Sequence, residues 1–262
     1  HVIEFAPMLM AEQLDQMGGE QLRRKIESMG VRVHTSKNTL EIVQEGVEAR
    51  KTMRFADGSE LEVDFIVFST GIRPRDKLAT QCGLDVAPRG GIVINDSCQT
   101  SDPDIYAIGE CASWNNRVFG LVAPGYKMAQ VAVDHILGSE NAFEGADLSA
   151  KLKLLGVDVG GIGDAHGRTP GARSYVYLDE SKEIYKRLIV SEDNKTLLGA
   201  VLVGDTSDYG NLLQLVLNAI ELPENPDSLI LPAHSGSGKP SIGVDKLPDS
   251  AQICSCFDVT KG

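Results

Sequence analysis

The first 34 residues place a helix-period apolar pattern between two short strand-like runs. Val2 and Ile3 open the chain, Leu14, Met17, Leu22, Ile26 and Met29 recur at helical spacing, and Val31 and Val33 then alternate. Gly30 stands where the helix must stop. A strand, a helix and a second strand in that order read as a parallel crossover unit, because parallel strands need a long connection between them. This predicts an α/β sheet with further strands beside the first one. An unprotected central strand is a poor way to begin a domain, so the chain reads as an internal piece of a longer protein.

The middle of the chain changes period twice. Met53 and Phe55 alternate before Asp57-Gly58, and Leu61 and Val63 follow, which predicts antiparallel ribbon over residues 40–63. Phe65 to Phe68 and Ile105 to Ile108 are continuous apolar runs, expected as strands buried on both faces. Met128, Ala129, Val131, Ala132, His135 and Ile136 form a helical register after Pro124-Gly125, ended by Gly138.

Beyond about residue 146 the pattern is antiparallel. Tyr175 and Tyr177, then Tyr185 to Val190, a polar turn at Asp193-Asn194-Lys195, and Leu197 to Val203 read as strands. An apolar helix is expected over Leu212 to Ile220, and a surface linker from Pro223 to Pro240. The fold class is therefore α/β, with partial doubly wound nucleotide-binding domains and an antiparallel α+β C-terminal domain.

Charge and composition narrow the function. The 25 Lys+Arg against 37 Asp+Glu leave a net charge of -12, which argues against nucleic acid as a partner. No apolar run reaches the ~18 residues of a membrane span, and the opening segment lacks a signal-peptide pattern, so a cytoplasmic location is expected. The 5 cysteines, odd in number and mostly scattered, do not suggest a disulfide framework. The 5 histidines have no helical ligand spacing, so zinc is not expected. Gly236-Ser237-Gly238-Lys239-Pro240 echoes a phosphate loop but has Ala233 for its first glycine and Pro240 where Ser or Thr is required.

Ligands in open α/β sheets bind beyond the carboxyl ends of strands, so the small-residue turns there are candidates. Ser69-Thr70-Gly71 and Gly109-Glu110 each follow an apolar run. Either pair also reads as an ordinary turn. Glu4 ends the first strand, where a dinucleotide-binding unit places its ribose carboxylate, but no glycine-rich phosphate turn precedes it. Taken alone it reads as a solvated strand-end carboxylate. Cys254 and Cys256 as a bare pair read as two free thiols.

Together, STGIRPR (Ser69 to Arg75), TSDPDIYAIGECA (Thr100 to Ala112) and the helix after APGY (Ala123 to Tyr126) resemble the FAD-dependent pyridine-nucleotide reductases of the glutathione-reductase-like class. With Cys254-x-Cys256 after a reductase C-terminal domain, the whole chain is similar to the large-subunit family of bacterial NAD(P)H-dependent, ammonium-forming nitrite reductases.

The resemblance implies FAD and NAD(P)H as cofactors. Glu4 would hold the adenosine ribose, and Ser69, Thr70 and Gly71 would form the turn returning from the NAD domain to the FAD domain. Gly109 and Glu110 would contact the ribityl or phosphate part of FAD, a position more often aspartate in the superfamily. Pro124 and Gly125 would open the helix whose amino end faces the flavin ring, and Cys254 and Cys256 would begin a four-cysteine two-iron two-sulfur ligand set. Iron–sulfur clusters and sirohaem are implied for the parent protein and are not expected complete in this chain, which alone would be inactive. The implied partners are a nitrite reductase small subunit and further copies of the chain in a homo-oligomer. The implied parts are residues 1–72 (NAD domain), 73–145 (FAD domain), 146–235 (C-terminal interface domain) and 236–262 (linker and start of the iron–sulfur domain). Two alternatives stay open: an NADH-dependent rubredoxin or ferredoxin reductase, and a non-catalytic dimerisation or docking segment.

Overall fold

Short parallel strand pairs and one broad antiparallel sheet make up this computed structural model, which describes residues 1–44, 46, 49–232, 247–254 and 259–262. The chain divides into two compact units, one mainly from residues 1–67 and 149–253, the other from residues 68–148.

In the first unit β1 (Val2–Ile3) pairs in parallel with β2 (Val33–His34), and α1 (Gln16–Ser28) is the crossover. Asp15 caps α1: its Oδ1 accepts the Gly18 N–H at 2.9 Å, satisfying one of the donors that a helix start leaves free. Gly30 follows the helix with φ +88°, a left-handed backbone suited to glycine. Leu14, Leu22 and Ile26 are buried, but Met17 and Met29 are exposed. The buried stripe is thus narrower than the spacing suggested. An antiparallel ribbon of β3 (Thr39–Gln44), β4 (Lys51–Phe55) and β5 (Glu60–Val63) follows, turning at Gly58 with φ +81°.

The expected buried strand at Phe65 to Phe68 is absent: the run has no regular structure, and Phe65 is 78% exposed. A continuous apolar run becomes a strand only when neighbours complete its hydrogen-bond ladder. Among the described residues none pairs with it.

The C-terminal sheet is antiparallel, in the order β10-β11-β12-β9-β8. Its strands are β8 (Ala150–Leu154), β9 (Val157–Gly163), β10 (Arg173–Asp179), β11 (Ile184–Val190) and β12 (Leu197–Val203). Both faces are covered. Tyr185, Val201, Val203 and Val159 pack with Leu14, Leu22 and Ile26, while Leu188, Leu202 and Ile162 pack with Leu212 and Leu215 of α4 (Tyr209–Leu217). Full burial of such side chains stabilises by roughly 1.5–3 kcal/mol each. The tight spacing explains Gly199, where a Cβ would lie 2.5 Å from the Asp164 carbonyl carbon. The helix begins and ends three residues earlier than its apolar run suggested. The β8–β9 hairpin was not among the strands expected.

The expected surface linker needs correction at its start. Residues Pro226–Leu229 form a 3-10 turn, and Leu229 and Ile230 are buried in the core under α4. The Gly236–Pro240 segment lies outside the described residues. At the end, β13 (Gln252–Cys254) pairs with β14 (Val259–Thr260).

In the second unit β6 (Ile92–Ile94) and β7 (Ala112–Trp114) pair in parallel, alongside α2 (Lys77–Gln81) and α3 (Val122–Ile136). Ile94, Cys98, Ala107, Phe119, Met128 and Phe143 form the core, with Trp114 and Phe119 each meeting the Phe143 ring edge-on. Burial pushes the Cys98 thiol up to about 11. The expected strand at Ile105 to Ile108 is likewise absent: only Tyr106 makes a bridge, to Gln99, and Ile105 and Ile108 are exposed. The short β6–β7 ladder lies elsewhere and offers this run no pairing.

Candidate functional site

The second unit brings Gly109 and Glu110 together with Pro124 and Gly125, and it also carries Ser69, Thr70 and Gly71. Residues Gly109–Cys111 form a single 3-10 turn directly before β7, and Gly109 takes φ +76°. Any other residue would be strained there. A Cβ on Gly109 would meet nothing within 4 Å, whereas a Cβ on Gly125 would stand 3.3 Å from the Gly109 Cα. Glycine at 125 therefore lets the turn and the first part of α3 meet backbone to backbone, while glycine at 109 supplies the left-handed φ of the turn. The Gly109 N–H donates to Met128 Sδ at 3.2 Å, and this fastens the turn to the helix.

Pro124 and Gly125 lie within the first turn of α3, whose N-cap, Leu121, makes no side-chain capping bond. Proline is tolerated there because its missing N–H would have no intrahelical partner. The uncapped helix start carries a partial positive charge that favours an anionic group. Glu110 is exposed beside this helix start, and Val122 and Tyr126 are also exposed.

Ser69, Thr70 and Gly71 are exposed and irregular, and Gly71 has φ +84°. They are connected to the site through Ile72, whose Cδ1 lies 3.4 Å from the position a Cβ on Gly120 would take, just ahead of α3. Asp76 Oδ2 accepts the Gly91 N–H at 2.7 Å, anchoring the rest of this segment.

Glu4 ends β1 in the first unit, and its Oε1 accepts the Ala6 N–H at 2.8 Å. A cleft of about 220 Å³ opens beyond the carboxyl ends of β1 and β2, lined in part by Pro7, Leu9, Gly19, Arg23 and Thr35; Glu4 is not among its lining residues. Cys254 is the last residue of β13, and Cys256 lies outside the described residues. No cluster of three or more metal-ligating side chains occurs among the described residues.

Several structural residues escaped the sequence reading. Asp15 Oδ2 accepts both the Tyr185 hydroxyl at 2.6 Å and Arg187 Nη1 at 2.9 Å, tying α1 to β11. Burial and this bond raise the Tyr185 pKa well above the ordinary phenol value. An aspartate directly before an amphipathic helix was the available signal. Lys186 is buried and bonds Asp205 and Asp208, each at 2.6 Å. Burial opposes its charge, but the two carboxylates outweigh that and raise its pKa. The Tyr106 hydroxyl pairs with His135 Nδ1 at 2.7 Å and adds a second tie between α3 and the segment leading to Gly109.

Parallel strand pairs, a crossover helix and a glycine-lined helix start are features of an α/β nucleotide-binding fold. The profile of the pyridine nucleotide-disulphide oxidoreductases matches residues 1–135, and the chain belongs to that family. The rubredoxin NAD+ reductase C-terminal domain matches residues 149–220. The chain is 56% identical to the NAD(P)H nitrite reductase large subunit of Klebsiella oxytoca, over 100% of this chain and 27% of that protein. It is 36% identical to the assimilatory nitrate reductase electron transfer subunit of Bacillus subtilis, over 100% of this chain and 32% of that one. The chain thus spans about a quarter to a third of these relatives. The crystal structure of the ferredoxin reductase for the CYP199A2 system from Rhodopseudomonas palustris shares the fold, with TM-score 0.68 and 21% identity over 87% of this chain and 55% of that one. No helix among the described residues is long and apolar enough to cross a membrane.

Proposed function

We propose that this chain is the electron-input portion of an NAD(P)H-dependent, ammonium-forming nitrite reductase. The observation that carries the reading is the 56% identity maintained across all 262 residues with the Klebsiella oxytoca large subunit. The Gly109–Gly125 approach supports it, because a backbone cradle beside an uncapped helix start fits an anionic, hydrogen-bonding cofactor such as FAD.

In this reading Gly109 keeps the approach to the cofactor open, and Glu110 accepts hydrogen bonds from its ribityl hydroxyls or orients its phosphate end. The α3 start, shaped by Pro124 and Gly125, stabilises negative charge developing on the ring system. Ser69, Thr70 and Gly71 return the chain toward α3. Glu4 keeps its second carboxylate oxygen for the adenosine ribose of NAD(P)H, and the neighbouring cleft fits the remainder of that moiety. FAD, when bound, supplies the capacity to take two electrons as hydride and release them singly.

Cys254 and Cys256 would contribute the first half of a two-iron two-sulfur ligand set. Iron–sulfur and sirohaem chemistry, the small subunit, a homo-oligomeric state and the cytoplasmic location belong to the proposed parent protein. The four-part division at residues 72, 145 and 235 is proposed with it. Glu110→Ala in the natural protein that carries these residues is expected to lower FAD occupancy, read from the flavin-to-protein ratio. Unchanged flavin content would sink the assignment of Glu110.

A further inference from the structure

Positive charge is scarce and unevenly placed in the second unit. Residues 68–148 hold 6 Lys+Arg against 10 Asp+Glu, yet four of the six cations fall within residues 73–77 (Arg-Pro-Arg-Asp-Lys) and 87–91 (Ala-Pro-Arg-Gly-Gly). Folding sets these two stretches side by side. Pro74 Cδ lies 3.3 Å from the position a Cβ on Gly90 would take, and Asp76 Oδ2 accepts the Gly91 N–H at 2.7 Å. The Gly90 N–H donates to the Ala87 carbonyl at 2.8 Å, so Arg89 stands at the corner of a tight turn. Arg73, Arg75, Lys77 and Arg89 are all exposed, and among the described residues no side chain pairs with any of them. Asp76, the single carboxylate of the two stretches, is already engaged by Gly91.

Gathering like charges costs self-repulsion that an anionic partner relieves. The four charges are spread over a turn corner, an extended segment and the start of α2, and none lines the cleft beyond β1 and β2, so they present a surface and not an enclosed anion site. Ile72, 52% exposed, and Leu78, 72% exposed, add apolar contact to it. Arginine mixed with exposed apolar side chains suits a protein partner. Ile72 also borders the Gly120 position ahead of α3, so the patch begins one residue from the candidate cofactor site.

We propose that this patch docks the acidic face of a protein domain carrying a one-electron redox centre. The proposal rests on the electron-input reading and puts the exit for electrons beside the cofactor site. Per NADH oxidised to NAD+, two electrons and one proton leave, and the docked centre takes the electrons one at a time. Electron-transfer encounters use small interfaces, and complementary charge steers and orients them. The chain as a whole carries a net charge of -12, so an acidic partner is repelled wherever it does not meet the patch.

Lys77 is a built-in reporter for the test. A water-soluble carbodiimide joins an amine to a carboxylate without a spacer, so it captures ion-pair contacts in the natural protein that carries these residues. At low ionic strength, peptide mass is expected to show Lys77 joined to an Asp or Glu of an iron–sulfur-bearing domain outside this 262-residue stretch. Arg73→Ser, Arg75→Ser and Arg89→Ser together should cut the yield about tenfold, whereas lysine at all three positions should preserve it. In the serine variant NADH should bleach the flavin as fast as before, while its reoxidation through the docked centre slows. Three results would each overturn the proposal: no Lys77 link, a link confined to carboxylates of residues 1–262, as from a second copy, or a yield indifferent to the serine variant. Failure of the electron-input reading shows differently: the unaltered protein would not bleach with NADH, whatever is joined to Lys77.

Discussion

The strands of the C-terminal sheet and the Phe65 to Phe68 run are similarly apolar, yet only the former are buried. Leu188, Ile189 and Val190 in β11 are fully enclosed, whereas Phe65, Val67 and Phe68 lie mostly in the open. The difference lies in the source of the hydrogen-bond ladder. Each antiparallel strand from β9 to β12 meets partners a few to some forty residues away, and α1 and α4 cover the two faces. The parallel pairs are two or three residues long, and adjacent apolar runs find no ladder among the described residues. Hydrophobicity alone therefore does not make a strand; a neighbour does.

This contrast can be broken by mutation. Leu202→Ala, at a fully buried position between β12 and α4, should cost about 2–5 kcal/mol in urea denaturation. Asp15→Ala should cost about 2 kcal/mol, because it strips the α1 cap and leaves Tyr185 and Arg187 without their shared acceptor. A loss below about 0.5 kcal/mol would show that α1 does not depend on this carboxylate for its hold on the sheet.

Acid should weaken the same sheet. Although burial opposes ionisation of Asp205, bonds from Lys186 and Ser207 hold its folded pKa below the ordinary 3.8. Its contribution is therefore present above about pH 4 and is lost as pH falls toward the depressed folded value. Asp205→Asn should flatten the fall in urea midpoint below pH 4, and an unchanged slope would remove Asp205 from the account. The smallest effect is expected at Phe65→Ala, within about 0.5 kcal/mol, because the ring is already 78% exposed. A large loss there would mean that the run is packed in solution.

What the sequence made legible follows from the range of each signal. The crossover of β1, α1 and β2, the Asp57-Gly58 turn and strands β10 to β12 rest on local period and turn chemistry, and all are present. The runs at Phe65 and Ile105 misled because local apolarity says nothing of a distant partner. Around the candidate site, Gly109 and Gly125 were legible as small residues at turns. Their close approach, which would leave a Cβ on Gly125 only 3.3 Å from the Gly109 Cα, was not, since it depends on how α3 packs. Met128 as the acceptor for the Gly109 N–H was hidden for the same reason: its place in the helical register marked it only as a core residue.

The most direct measurement is the visible absorption spectrum of the natural protein that carries these residues, before and after NADH, beside that of Gly125→Leu. The account predicts a flavin band that bleaches with NADH in the unaltered protein. It also predicts loss of most of that band in the variant, because a side chain at 125 would press on the Gly109 backbone while the C-terminal sheet keeps its urea midpoint. Full flavin content and full bleaching in Gly125→Leu would contradict the claim that the Gly109–Gly125 approach forms part of the cofactor site.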